Sequence, residues 1–317
     1  MTAPIPIPIP TALLVVRRYV LRAVGDLDLA PFLGATLRGA VGRALRQLVC
    51  ATRMPTCDGC PVRSACVYAS LHDGYTPPGI AAGTGEHAPP PLWLRDVDPG
   101  RPMHAGDTLT FSVVAFGPAA RSLPFVDEAV RSLRRDGIGR GRGAVELIDA
   151  QDEERADLAA LLARRATALE QGLRAAGHGL RVRLRTPVAI RLKGAAWERP
   201  DRPRPTWPER LVGGAVRRKI ALERRWLELP SSEAPRVARA AAEASDVEVL
   251  EDQIEIRHVP RYSATEGRRV EFHGAVGALR LGGEGLARAL PWLVSGETLS
   301  LGSGTTFGFG RIALEVA

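Results

Sequence analysis

Lysine is almost missing from this chain: Lys193 and Lys219 are the only two among 43 basic residues. No stretch approaches the ~18 consecutive apolar residues of a membrane span. The opening Met1-Thr2-Ala3-Pro4-Ile5-Pro6-Ile7-Pro8-Ile9-Pro10 has neither the basic region nor the continuous apolar helix of a signal peptide. Both absences predict a cytoplasmic protein with no membrane partner. There is no H-E-x-x-H, no dinucleotide fingerprint and no paired acid/base motif, which disfavours a small-molecule enzyme. The glycine run near the C-terminus lacks the Lys-Ser/Thr of a P-loop and leads into no helix, which argues against ATP. Cysteine is confined to four positions, so a disulfide scaffold is excluded as a description of the whole.

What remains is an ordinary globular balance, 45% hydrophobic and 25% charged, over 317 residues. That length predicts two domains and buries a core without staples. Net charge is +8 and the pI about 10. A GC-rich coding sequence accounts for arginine in place of lysine but not for the excess charge. A basic chain rich in arginine, whose planar fork grips phosphate, invites a nucleic-acid partner.

The pattern along the chain reads as two similar rounds. Residues 12–24 pattern as a strand. Leu33, Leu37, Val41, Leu45 and Leu48 recur every three or four positions, which predicts an amphipathic helix over 31–49. A Cys-, Pro- and Gly-rich insertion follows. Strands are predicted near 92–97, over 107–117 and over 144–150, with a helix at 124–135 and a Gly/Arg loop at 137–143. This is β-α-β-β-α-β, the ferredoxin-like order. Residues 153–176 read as a joining helix. A second round then has a strand at 180–192, a basic helix at 208–229, a helical piece at 234–244 and strands at 247–259 and 268–281. A short helix at 286–294 and closing strands within 298–316, around the glycine-rich turn, complete it. The expectation is an α+β protein of two tandem ferredoxin-like (βαββαβ, RRM-like) domains. Their bounds are 1–152 and 180–317, joined by a helical linker at 153–179, with a four-cysteine insertion at about 50–75.

Cys50, Cys57, Cys60 and Cys66 are spaced C-x6-C-x2-C-x5-C. Clustered cysteines in a cytosolic chain favour metal over disulfides. Four thiolates fill a tetrahedral zinc site and equally hold a 4Fe–4S cluster. The stretch Cys57-Asp58-Gly59-Cys60-Pro61 through Cys66 is similar to the C-x2-C-P-x4-C stretch of iron-staple nucleases. Zinc and the iron cluster stay equal alternatives, beside four reduced thiols with no ligand. Either metal would be structural, because no coordination position is left for substrate.

Gly302-Ser303-Gly304-Thr305-Thr306-Phe307-Gly308-Phe309-Gly310 reads either as a hairpin with bulges or as a loop whose bare amides approach phosphates. This tail resembles the glycine-rich loop that ends RAMP-superfamily proteins. It is most similar to the CRISPR precursor-RNA-processing endoribonuclease family. Arg261-Tyr262-Ser263 followed by Gly274-Ala275-Val276-Gly277 resembles the family's R-Y-S…G-G-x-x-G segment. Residues 184–193 resemble its L-x-T-P-x-x-L-x segment. Leu37-Arg38-Gly39-Ala40, with the cysteines and Tyr68, resembles a cysteine-bearing branch. The resemblance implies two ferredoxin-like domains and CRISPR repeat RNA, or precursor crRNA, as the partner. It implies cleavage without a catalytic metal to give guide RNAs with a defined 5′ handle, in antiviral defence. Subunits of a CRISPR effector complex are implied as further partners. The first rival reading is an inactive RNA-binding RAMP subunit of such a complex. The second is a metal-cluster protein whose cysteines sense or transfer electrons.

Metal-free cleavage uses the 2′-OH as nucleophile, a base to take its proton, an acid for the leaving 5′-oxygen and a cation for the phosphorane. The resemblance implies a base on or just after the first helix, yet that helix carries no histidine. His72, just past the cysteines, and His273, just before Gly274, are the candidates. Tyr262 is a further proton carrier, and Arg38 and Arg261 are the candidate cations. For each histidine the competing reading is a solvated or hydrogen-bonded structural role. The basic helix supplies a predicted phosphate track through Arg217, Arg218, Lys219, Arg224 and Arg225, extended by Arg140 and Arg142. Arg261, Gly302, Ser303, Gly304, Thr305 and Gly308 complete the predicted RNA contacts.

Overall fold

A computed structural model describes residues 12–73, 75, 89–177, 179–190, 206–227, 239–240, 244, 246–263 and 268–317; for 261–263 and 269 it describes the backbone only. The first round forms a sheet of β1 (Leu13–Ala23), β2 (Leu92–Arg95), β3 (Thr108–Phe116) and β4 (Val145–Asp157) in the order β2-β3-β1-β4. Every pairing is antiparallel. One face is covered by α1 (Leu33–Val49), α2 (Leu123–Arg131) and the short α3 (Leu133–Asp136). Leu33, Leu37, Val41 and Leu45 are all buried, so the predicted stripe of α1 meets the core over these four positions, whereas its last member, Leu48, is exposed in the final turn.

The second round repeats the plan. β5 (Leu180–Val188), β6 (Glu248–Ser263), β7 (Arg268–Gly282) and β8 (Ile312–Val316) form a sheet in the order β6-β7-β5-β8. Its core side meets α5 (Trp207–Trp226) and α6 (Leu286–Leu299). In both sheets the first strand of the round lies between the third and the fourth, which is the ferredoxin-like order. The expected α+β architecture of two such halves, with Cys50–Cys66 in an insertion of the first, is therefore present.

Three local expectations differ. The strand predicted at 144–150 continues to Asp157, because its charged residues pair along β1: Arg17 Nε donates to Asp152 at 2.6 Å, and Ser112 on neighbouring β3 reaches Glu153. The joining helix, α4 (Leu158–Ala176), begins where Asp157 caps it by accepting from the Ala160 amide at 3.1 Å. At the C-terminus no strand precedes the glycine loop. Helix α6 runs to Leu299, a short 3-10 turn spans Thr305–Phe307, and β8 alone closes the chain. The predicted ends at 191–192 and 228–229, and most of 234–244, lie outside the described residues.

The halves are packed together. Leu14, Val16, Trp93, Val114 and Phe116 of the first sheet's second face share a core with Leu158, Leu222 and Leu299. Arg165 on α4 makes a bidentate pair with Glu297 on α6, at 2.8 and 3.0 Å.

Candidate functional site

The glycine-rich loop, the start of α1 and the edge of β2 meet between the halves. Glycine is required where they touch: a Cβ on Gly34 would lie 1.9 Å from the Phe307 carbonyl oxygen, so no side chain fits there. Phe309 is buried, with its ring stacked on Phe32 at 4.3 Å and on Phe272 of β7 at 3.9 Å. Gly304 and Gly308 flank the 3-10 turn at φ 81° and 87°. The loop's amides are largely committed. Ser303 donates to Ala189 O, Phe307 and Phe309 to Gly304 O, Gly308 to Thr305 O, and Gly310 to Pro187 O. Thr305 is buried, and the Ser303 hydroxyl also reaches Ala189 O. Those amides are taken by the chain itself, which narrows the expected phosphate contact to the loop's other positions.

The cysteine insertion brings a histidine to this face. Cys50 ends α1, donating its amide to Arg46 O at 2.9 Å. The Cys57–Cys60 turn passes through Gly59 at φ 72°. Arg63 braces the insertion by donating to Asp58 and Asp73, both at 2.8 Å. Leu71 is buried in the first core, which fixes its neighbour His72 against α1. The His72 ring stacks on Tyr68 at 5.1 Å, and its Nε2 lies 3.1 Å from Arg38 O. Nε2–H donating to that carbonyl leaves Nδ1 as the acceptor. A Cβ on Gly42 would lie 2.1 Å from His72 Nε2, so glycine makes the space for the imidazole. Arg38 Nη2 donates to His72 O at 2.8 Å, and its guanidinium lies 5.4 Å from the Phe307 ring centroid. Burial, with the Arg38 charge second, pushes the His72 pKa down to about 4. The histidine that α1 lacks is thus supplied from the insertion, next to a cation that faces the glycine loop.

His273 lies elsewhere. It sits directly opposite His258 across the β6–β7 pair, with ring centroids 4.3 Å apart, and both are exposed. Strand alternation puts Phe272, which packs on Phe309, on the other face of β7. His273 therefore does not share the Arg38–Phe307 face. Glu271, two residues before His273, joins the histidines, with its Oε2 at 3.6 and 3.7 Å from their nitrogens. Sequence reasoning missed Glu271; its i, i+2 spacing from His273 on one strand face was the available signal. Arg261 and Tyr262 continue β6, and their side chains lie outside the described residues.

The predicted phosphate track is corrected in two of its members. Arg218 is buried, lies over Trp93 at 4.8 Å and donates to Leu299 O at 3.3 Å; burial lowers its pKa to about 9. Arg225 is buried too, stacked on Trp226 at 4.0 Å and donating to Tyr75 O at 2.5 Å. Both hold the halves and the insertion's exit together rather than facing solvent. Lys219 pairs with Glu223, and Arg217, Lys219 and Arg224 are half-buried. Arg140 and Arg142 are exposed.

All four cysteines are half-buried and line one cavity of about 250 Å³ with Arg46, Thr52 and Tyr68. The donor set, four sulfurs without a carboxylate, suits zinc or an iron–sulfur cluster. The Arg53 amide lies 3.3 Å from Cys50 Sγ and holds that thiol's pKa down, whereas burial pushes Cys57 up. The sulfurs share a cavity but not one ligand shell. Among the described residues the one group with ligand atoms within 4.8 Å of each other is His258, Glu271 and His273.

Residues 12–172, about half of the chain, match the family model AF_1859_N, an N-terminal domain, and the chain belongs to that family. No curated protein matches it by sequence. Among solved structures it is similar to a Cas6 product complex, at 14% identity and a TM-score of 0.54 over 95% of this chain and 100% of that one. It is also similar to Thermus thermophilus Cas6, at 13% and 0.51 over 96% and 99%. A chain of a partial Cas6-RT-Cas1–Cas2 complex matches at 14% and 0.54 over 96% of this chain and 46% of that one. At these identities the likeness is one of fold, and it spans both halves. No helix among the described residues is long and apolar enough to cross a membrane.

Proposed function

We propose that this chain binds CRISPR repeat RNA and cleaves precursor crRNA without a catalytic metal, at the face where α1, the end of the cysteine insertion and the glycine-rich loop meet. The observation that carries the reading is the return of His72 to α1 beside Arg38, on a fold shared end to end with Cas6 structures. With its pKa near 4, His72 is neutral at physiological pH and so free to accept a proton. Its role is to take the 2′-OH proton through Nδ1, which the Arg38 carbonyl leaves open. Arg38 stabilises the charge on the phosphorane. The leaving 5′-oxygen takes its proton from a second group, for which Tyr262 remains the candidate. Cys50, Cys57, Cys60 and Cys66, which line one cavity, would have to draw together to hold a structural zinc ion or 4Fe–4S cluster, and such a group would stiffen the insertion carrying His72.

One observation favours a second reading. An imidazole held this far below its ordinary proton affinity is a weak base. An RNA-holding subunit that does not cut, working within a CRISPR effector complex, is the alternative. The experiment is a cleavage gel in EDTA with the cognate repeat RNA beside 2′-deoxy substitutions walked along the strand. Cleavage abolished by one substitution alone supports the nuclease. RNA that is bound but uncut selects the holding subunit.

A further inference from the structure

The β6–β7 pair outruns its sheet. Strand β5 accompanies β7 only to the Val188–Ala275 pairing, so residues 257–263 and 268–274 form a two-stranded ribbon. At its base, on one face, stand His258, Glu271 and His273. His258 and His273 are a direct cross-strand pair, and Glu271 is their neighbour by strand alternation.

The Glu271 Oε2 separations of 3.6 and 3.7 Å are longer than hydrogen bonds, so no proton is shared along them. They are close to the edge of a tetrahedron of ligands around one ion. Nitrogen and oxygen ligands at about 2.0–2.2 Å from zinc stand roughly 3.3–3.5 Å apart. All three ligand atoms fall within 4.8 Å of one another. Two imidazoles and a carboxylate are the donors that borderline divalent transition metals prefer, and hard cations such as Mg²⁺ do not. A paired ribbon fixes the three Cα positions, so little backbone has to move to close the set.

We infer that His258, Glu271 and His273 form a surface site for one zinc-class divalent ion, with at least one coordination position left to water or an incoming oxygen ligand. The site is separate from the cysteines and does not depend on the RNA reading.

The test is a Co²⁺ titration of the full chain followed by visible absorption, with Zn²⁺ calorimetry in parallel. Thiolate-bound Co²⁺ shows sulfur charge-transfer bands in the near ultraviolet; the ribbon site shows d–d bands without them. The expected result is a d–d component that survives Cys57→Ser and weakens at least tenfold in both His258→Ala and His273→Ala, with Glu271→Gln weaker by a smaller factor. Since all three side chains are exposed, melting curves of the variants should match the parent. A titration indistinguishable between the parent and the His258→Ala/His273→Ala double variant overturns the inference, as does Co²⁺ absorption that vanishes entirely with Cys57→Ser. Both readouts are taken without RNA, so they stand or fall apart from cleavage.

Discussion

His72 and the His258–His273 pair are the same side chain in opposite surroundings. His72 is wedged between Tyr68, Gly42 and the Arg38 carbonyl, beside a guanidinium that repels a proton. The ribbon pair is open to water and leans on a carboxylate that attracts cations. Burial and a neighbouring positive charge make the first a neutral group enclosed against α1. Exposure and Glu271 make the second a place for positive charge to settle. A histidine's chemistry here is decided by its second neighbour more than by its position along the chain.

The largest expected effect separates the two in cleavage. His72→Ala should slow single-turnover cleavage of repeat RNA by about 10²–10⁴-fold, the range for loss of a general base, and His273→Ala by much less. The reverse order would move the chemistry to the ribbon. Next is Cys57→Ser. If a structural metal holds the insertion, the variant loses a few kcal/mol and melts roughly 5–10 °C lower, and cleavage falls with it because His72 rides on that segment. Unchanged melting with lost cleavage would mean that the cysteines act in chemistry.

Acid should sharpen the contrast further. Folding holds His72 at about 4 against an ordinary 6.5. The unfolded chain therefore binds the proton first, and stability present above pH 6.5 is lost as the pH falls through 4. The shift corresponds to on the order of 3 kcal/mol, which His72→Gln should remove from a urea-melt pH profile between those limits. A profile as steep in His72→Gln as in the parent would place the acid sensitivity elsewhere. The smallest effect is Gly42→Ala. The added methyl collides with the imidazole, costing about 1–3 kcal/mol and lowering cleavage through displacement of His72. If it melts and cuts like the parent, the wedge is looser than the geometry implies.

Much of the fold was legible because its signals are local. The leucine stripe of α1 and the alternation of β1 and β3 need only neighbours a few residues away. The Asp157 cap is local too, yet the row of charges before it looked helical, since its partners Arg17 and Ser112 lie far away on neighbouring strands. The same reason hid the fate of Arg218 and Arg225. Nothing near them in the chain announces Trp93, Leu299 or Tyr75, and a basic helix with buried arginines looks like one with exposed ones. His72 was singled out for its place just past the cysteines; its packing against the Arg38 carbonyl of α1 follows from the burial of Leu71 beside it. That it would be enclosed there was not legible, since the space comes from Gly42.

Phe32, Phe309 and Phe272 form a sandwich whose middle ring belongs to the C-terminal loop and whose outer rings come from opposite halves. Loss of the first half strips Phe32 from one face of Phe309, and loss of the second takes Phe309 away from Phe32. Unfolding one half therefore removes a packing partner from its neighbour, and the chain should behave as one cooperative unit. A calorimeter would record a single heat-absorption peak spanning both halves, although each has its own sheet and its own core.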